Sequence, residues 1–159
     1  MNHSSTRKIT FGGVIAALYV VLTVVANAFG LASGAIQVRI SEALTILPVF
    51  TTAAIPGLTV GCVLANLITG CAPWDVVFGS LATLIGAVGT HMLRKKPLLA
   101  WIPPVIANMA IVPVVLQKVY GVPDAWWYLA LTVGAGEVIS CGILGLLLYH
   151  SVKNIPQLR

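Results

Sequence analysis

Apolar residues run along this chain in long blocks, with no clear alternation and no one-sided stripe. Six such segments, at about 9–30, 41–54, 58–69, 74–93, 98–116 and 125–150, are separated by glycine, proline or charge. Crossing a hydrocarbon core of ~30 Å takes about 20 apolar residues in a helix, so the blocks predict membrane spans. The second and third are short, and Pro48, Pro56 and Gly57 interrupt them. They read either as tilted spans or as a hairpin that enters and leaves by one face. Both options return the chain to the same side, so orientation survives the choice. Strands of ~10 alternating residues are absent from the pattern, and a lipid-exposed backbone must satisfy its own hydrogen bonds, so the expected fold is an all-α membrane protein of six transmembrane helices. Residues 1–159 then form a single integral-membrane domain with no internal repeat.

Composition agrees. The chain is 58% hydrophobic and 8% charged, against roughly 25% charged in a soluble domain, and its mean hydropathy is +0.99. The net charge of +5 comes from short scattered clusters without an arginine-rich arm, which argues against nucleic-acid binding. With both termini in the cytoplasm, Arg7, Lys8, Arg94, Lys95, Lys96, Lys153 and Arg159 share that side, while Arg39 and Lys118 are left outside with Glu42, Asp75 and Asp124. This is the asymmetry that the positive-inside rule expects. Arg7-Lys8, an apolar run and Ala26-Asn27-Ala28 imitate a secretory signal, but the run exceeds the usual ~7–15-residue signal core, so an uncleaved first span is expected. Cys62, Cys71 and Cys141 lack disulfide or zinc spacing and read as packing residues, with no metal expected.

In this orientation the strongly polar residues occupy the outer half of the membrane and stop near its middle, which predicts a pocket open to the outside. Glu137 is the sharpest of them. A charge near the bilayer centre costs at least about 2.5–3.5 kcal/mol and needs a partner, and no basic residue is expected at its depth. It reads as a ligand or proton site, or as a structural hydrogen bond. Asn108 and Asn66 can serve a ligand or bond a neighbouring helix, and Gln117 lies near a helix end. Asp75 follows Pro73-Trp74 at a helix start, where capping alone would explain it. Trp74, Trp126, Trp127 and Tyr128 lie at outer ends, as belt residues or as a stacking surface for a planar ligand such as Trp74 or Trp127 would give. Arg39 and Glu42, if helical, face the same side and either pair or form the rim of the pocket. Gly134 and Gly136 beside Glu137 allow close approach of a ligand or of a helix. A membrane enzyme is disfavoured because His3, His91 and His150 lie far from the acidic residues. A self-sufficient carrier using Glu137 for a proton is the main rival to a binding subunit.

The block VRISEALTILPVFTTAAIPGLTVGCVLANLITG and the later WDVVFGSLATLIGA resemble the QueT family, the substrate-binding S components of energy-coupling factor (ECF) transporters associated with queuosine precursors. The likeness is densest from Arg39 to Leu44, at Ala54-Ile55-Pro56-Gly57 and at Ala65-Asn66. It implies an S-component-like bundle in a bacterial cytoplasmic membrane, which captures a 7-deazaguanine such as queuine or 7-aminomethyl-7-deazaguanine from outside. Another planar vitamin is the alternative ligand. It implies a coupling transmembrane subunit and two cytoplasmic ATPases as partners. The chain has no GxxxxGK[ST] phosphate loop and takes no cofactor itself, so ATP would belong to those partners. Related S components dock through small residues in the first helix, often Ala-x-x-x-Ala. Here Gly12/Ala16 and Gly13/Ala17 occupy the inner half, and Ala28/Ala32 lies at the outer end. For such a ligand, Glu137 and Asn108 suit the guanine-like edge, Glu42 or Asp75 a cationic amine, Arg39 the ring carbonyl, and an outer tryptophan the ring face.

Overall fold

Every regular element among the described residues of the computed structural model, 3–31 and 36–155, is helical. Ala32 of the Ala28/Ala32 pair and Arg159 lie outside them. Helix α1 (His3–Ala28) is followed by a 3-10 helix, Ile40–Val49, and then by α2 (Ala54–Ile68), α3 (Pro73–Met92) and α4 (Ile102–Lys118). Helix α5 (Trp126–Glu137) continues through a π-helical turn, Val138–Leu144, into α6 (Gly145–Val152).

Four stretches are long and apolar enough to cross a membrane: Ser5–Ala28, Pro73–Met92, Pro97–Lys118 and Trp126–Val152. The other two expected spans are shorter. The 3-10 helix has 10 residues, about 20 Å at ~2.0 Å per residue, and α2 has 15, about 22 Å at 1.5 Å per residue. The 3-10 helix is also buried continuously from Ser41 to Pro48. It is therefore a plug inside the bundle with no lipid-facing side. Irregular backbone is tolerated at membrane depth when protein shields it in this way. Pro56 does not break the third segment as its position suggested. It sits in the first turn of α2, where its missing N–H has no intrahelical partner to lose.

Small residues bring α1 and α2 together. A Cβ on Gly57 would lie 2.6 Å from the Gly12 carbonyl oxygen, and one on Gly61 would lie 2.8 Å from the Tyr19 Cβ. This is the close approach that glycine permits between membrane helices. The apolar core beside the contact holds Ile15, Tyr19, Leu44, Leu47, Ala54, Leu58, Cys62, Ala65 and Ala87.

Strand-free alternation of the helices puts both ends of the described chain at one end of the bundle. There His91 Nδ1 lies 2.7 Å from the Pro48 carbonyl, Phe50 stacks on Tyr149 at 5.4 Å, and Thr90 donates to the Ala100 carbonyl at 2.7 Å. Arg7, Lys8, Arg94, Lys95, Lys96 and Lys153 gather at this end by their places in the helices and connections. Residues 29–31 and 36–39 and the connections 69–72 and 119–125 meet at the opposite end.

Gly57→Ala should lower the thermal midpoint in detergent, reflecting an overpacking cost of about 1–3 kcal/mol. Gly13→Ala, whose Cβ meets nothing within 4 Å, should not lower it. Equal midpoints for the two variants, read by intrinsic-fluorescence melting, would contradict the α1–α2 contact.

Candidate functional site

The chain between α1 and the 3-10 helix dips back into the bundle before it turns. Gln37 passes so close to the last long helix that a Cβ on Gly136 would clash with the Gln37 carbonyl oxygen. Two residues on, the Arg39 amide donates to Ser140 Oγ at 3.1 Å, and Ser140 in turn donates to the Gly136 carbonyl at 2.9 Å. Ser140 and Cys141 belong to the π-helical turn, a wider turn of a kind that recurs at functional sites. Gly136 therefore serves the approach of the connection, while Gly134 makes room for Met109 of α4.

This descent carries Arg39 toward two buried carboxylates. The Tyr19 hydroxyl donates to Glu42 Oε1, whereas Oε2 of the same carboxylate is buried without a hydrogen-bond partner. Cys141 Sγ donates to Glu137 Oε2 at 3.2 Å, and donor atoms of Glu42, Glu137 and Cys141 lie within 4.8 Å of one another. The Arg39 charge interacts with both carboxylates. The expectation that Glu137 has no basic residue at its depth is thus corrected, because the extended backbone at 37–39 lowers an arginine that was assigned to the outer edge. Nor do Arg39 and Glu42 form a simple helical pair. Arg39 precedes the 3-10 helix in extended conformation, and the Glu42 oxygen that is bonded is held by Tyr19.

Above this cluster, at the end where the three connections meet, lies a cavity of about 360 Å³, within the ~300–1,000 Å³ typical of small-molecule sites. Helix α1 lines it with Tyr19, Thr23 and Asn27, the descending connection with Gln37, Arg39 and Ser41, and α2 with Asn66 and Thr69. Cys71, Asp75, Tyr120 and Val122 complete the wall. Thr23 Oγ1 lies 2.8 Å from Ser41 Oγ. The Tyr120 hydroxyl donates to Asp75 Oδ2 at 2.8 Å and accepts from the Ala72 amide at 3.1 Å. Partial burial, together with the carboxylate beside it, pushes the Tyr120 phenol up to about 12, so it stays a donor at physiological pH. Asp75 makes no side-chain cap at the start of α3, and its hydrogen bond goes across the cavity wall instead.

Arg39, Asn66 and Asp75 are therefore brought together around one space, with Glu42 immediately behind Tyr19. Other expected site residues lie elsewhere. Glu137 is buried against Arg39 and Cys141 and does not line the cavity, and Asn108 donates to the Pro104 carbonyl of its own helix at 3.1 Å. Gln117 donates to the Asp124 carbonyl at 2.8 Å and ties down the α4–α5 connection. Trp74 is 62% exposed and stacks on Phe78, and Trp127 is 64% exposed beside Tyr128. Both sit where a lipid belt would hold them, and the aromatic rings at the cavity are Tyr19 and Tyr120. Tyr19, Thr23 and Asn27 do carry a signal in the sequence, a polar face at four-residue spacing within an apolar helix.

Of the small residues in α1, Ala16 is buried and Gly12 packs on α2, whereas Gly13 and Ala17 are exposed. Gly12, Gly13 and Ala16 line a groove of about 510 Å³ with Lys8, Thr52, Ala53, Pro56, Gly57 and Val60 at the basic end.

Residues 9–154 match the family of QueT transporters. The chain belongs to the QueT transporter family. Its members are transporters, not enzymes, and the apolar helices make this a multi-pass membrane protein. The queuosine precursor transporter QueT of Lactococcus lactis subsp. cremoris (strain MG1363) is 36% identical to it over 86 residues, 54% of this chain and 50% of that protein. The match thus spans half the length of that QueT relative. No solved structure matches the chain.

Cysteine accessibility tests the geometry of this QueT-family cavity. Cys71 is half-buried on its wall, while Cys62 and Cys141 are buried in the core. A maleimide should label the folded protein once, at Cys71, and labelling of Cys62 or Cys141 at a comparable rate by mass spectrometry would contradict the packing.

Proposed function

We propose that this chain is the substrate-binding S component of an ECF-type importer, and that it captures a 7-deazaguanine queuosine precursor in the cavity beside Arg39, Asn66 and Asp75. The observation that carries the reading is the family match over residues 9–154 together with a cavity of ligand size lined in part by polar side chains. The substrate class follows the lactococcal relative, a queuosine precursor transporter. Six helical segments, with α2 and the 3-10 helix short, leave both termini in the cytoplasm of a bacterial cell. The basic residues at the end of the bundle opposite the cavity favour that orientation under the positive-inside rule, so the cavity opens outward.

In this reading Arg39 donates to the ring carbonyl, within electrostatic reach of Glu137 and Glu42. Asn66 supplies the amide at the ligand's edge. Asn108, Gln117, Trp74 and Trp127 support the fold and its membrane seat. A coupling transmembrane subunit docks on α1, the least buried of the four long helices, through the exposed Gly13 and Ala17 and the neighbouring groove at Gly12 and Ala16. Two cytoplasmic ATPases supply the energy.

Calorimetric titration of the purified, detergent-solubilised protein with queuine, 7-aminomethyl-7-deazaguanine, guanine and riboflavin should show tight binding confined to the deazaguanines. Arg39→Ala should weaken that binding at least about tenfold, as loss of a charge-assisted hydrogen bond does, and bound ligand should slow maleimide labelling of Cys71. Uptake in cells should require the ATPases. Riboflavin binding, or uptake by this chain alone, would overturn the assignment.

A further inference from the structure

The two charged walls of the cavity are unequally matched. Arg39 has two carboxylates, Glu42 and Glu137, within electrostatic reach. Asp75, only 8% exposed, has a neutral partner, the Tyr120 hydroxyl, and no cation among the described residues pairs with it. A carboxylate withdrawn from water is stabilised most by a cation that also donates a hydrogen bond. The geometry leaves one of its oxygens for such a donor. Oδ2 is taken by Tyr120, whereas Oδ1 and Asn66 Nδ2 converge over Gly79, at 3.5 and 3.2 Å from where a Cβ on that glycine would stand. Tyr120 is itself fixed, because Gln117 holds the Asp124 carbonyl and the Val122 amide donates to Leu116 at 3.1 Å, closing the connection on which it sits.

Building on the transport reading above, we propose that Asp75, oriented by Tyr120, is the specificity determinant for the 7-substituent, and that the cavity takes a 7-deazaguanine bearing a protonated amine there while rejecting its nitrile counterpart. An aminomethyl group brings an N–H donor and a positive charge to Oδ1. A nitrile brings a lone pair to a carboxylate, so two acceptors meet and Asp75 stays desolvated without compensation. Asp75 is the contact residue, and Tyr120 is a positioning residue that holds Oδ2 and leaves Oδ1 free.

Titration of the full chain in detergent with 7-aminomethyl-7-deazaguanine and 7-cyano-7-deazaguanine tests this through the ratio of their affinities. The amine should bind at least about tenfold tighter than the nitrile. Asp75→Asn should collapse that ratio toward one by weakening the amine alone, and Tyr120→Phe should reduce it in part, which a merely structural loss of stability would not do because both ligands would then weaken together. If Asp75→Asn does not fold, Asp75→Glu, which keeps the charge and moves it by one methylene, should lower the same ratio. Equal wild-type affinities, or a ratio unchanged in the variants, would overturn the Asp75 assignment and leave the transport reading standing. If neither deazaguanine binds, both readings fall.

Discussion

A charge below the surface of a membrane protein must be matched there, and the cluster of Arg39, Glu42 and Glu137 is where this bundle meets that requirement. Isolated, the Arg39 guanidinium would lose its hydration for nothing, and the cost of burying an ion runs to several kcal/mol even after relaxation. The connection at 37–39 has to descend for the match to exist, and three local features let it do so. Gly136 clears a path for the Gln37 carbonyl, Ser140 accepts the Arg39 amide, and the π-helical turn offers Ser140 and Cys141 to the interior together. The 3-10 helix then follows directly, and its burial brings Glu42 under Tyr19. A plug of 10 residues that could not cross a bilayer is the consequence of closing this cluster.

Helix α1 serves both ends of the molecule. Toward the cavity it presents Tyr19, Thr23 and Asn27, and toward the basic end it presents glycine and alanine. The two faces are separated by packing. Gly12 and Ala16 are consumed by α2, which leaves Gly13 and Ala17 outward on the least buried of the long helices. A helix held by α2 through glycine contacts, yet open along its other side, is suited to receive a second membrane subunit without loosening the cavity wall.

Span length, all-helical architecture and the outward grouping of polar residues were legible in the sequence, because lipid imposes them through hydropathy alone. The cavity was legible in part. Arg39, Asn66 and Asp75 stand out in an apolar chain, but nothing in local pattern says that Arg39 descends, since that depends on Gly136 and Ser140 about a hundred residues away. Glu137 looked like the ligand contact for the same reason. Its partner is distant in sequence, so it seemed to lack one. Trp74 and Trp127 do not line the cavity, and an aromatic ring at a helix end looks alike in sequence whether it faces lipid or ligand. Tyr19 was missed although it shares a four-residue polar spacing with Thr23 and Asn27, and Tyr120 because a tyrosine beside an apolar run is unremarkable until its hydroxyl finds Asp75, 45 positions away.

The arrangement also bears on how a ligand could reach the other side. Below the cavity stands the buried charge cluster, and packed beside and beneath it are Ile15, Leu44, Leu47, Ala54, Leu58 and Ala87. A carrier that opened alternately to each face would have to move Arg39 away from Glu42 and Glu137 and then pass a polar base through that apolar core. A subunit moved as a whole by a partner would keep the cluster closed and the core dry. The interior of this bundle resists the first route by the same pairing that shapes its cavity, and this favours dependence on an energised partner over a carrier that works alone.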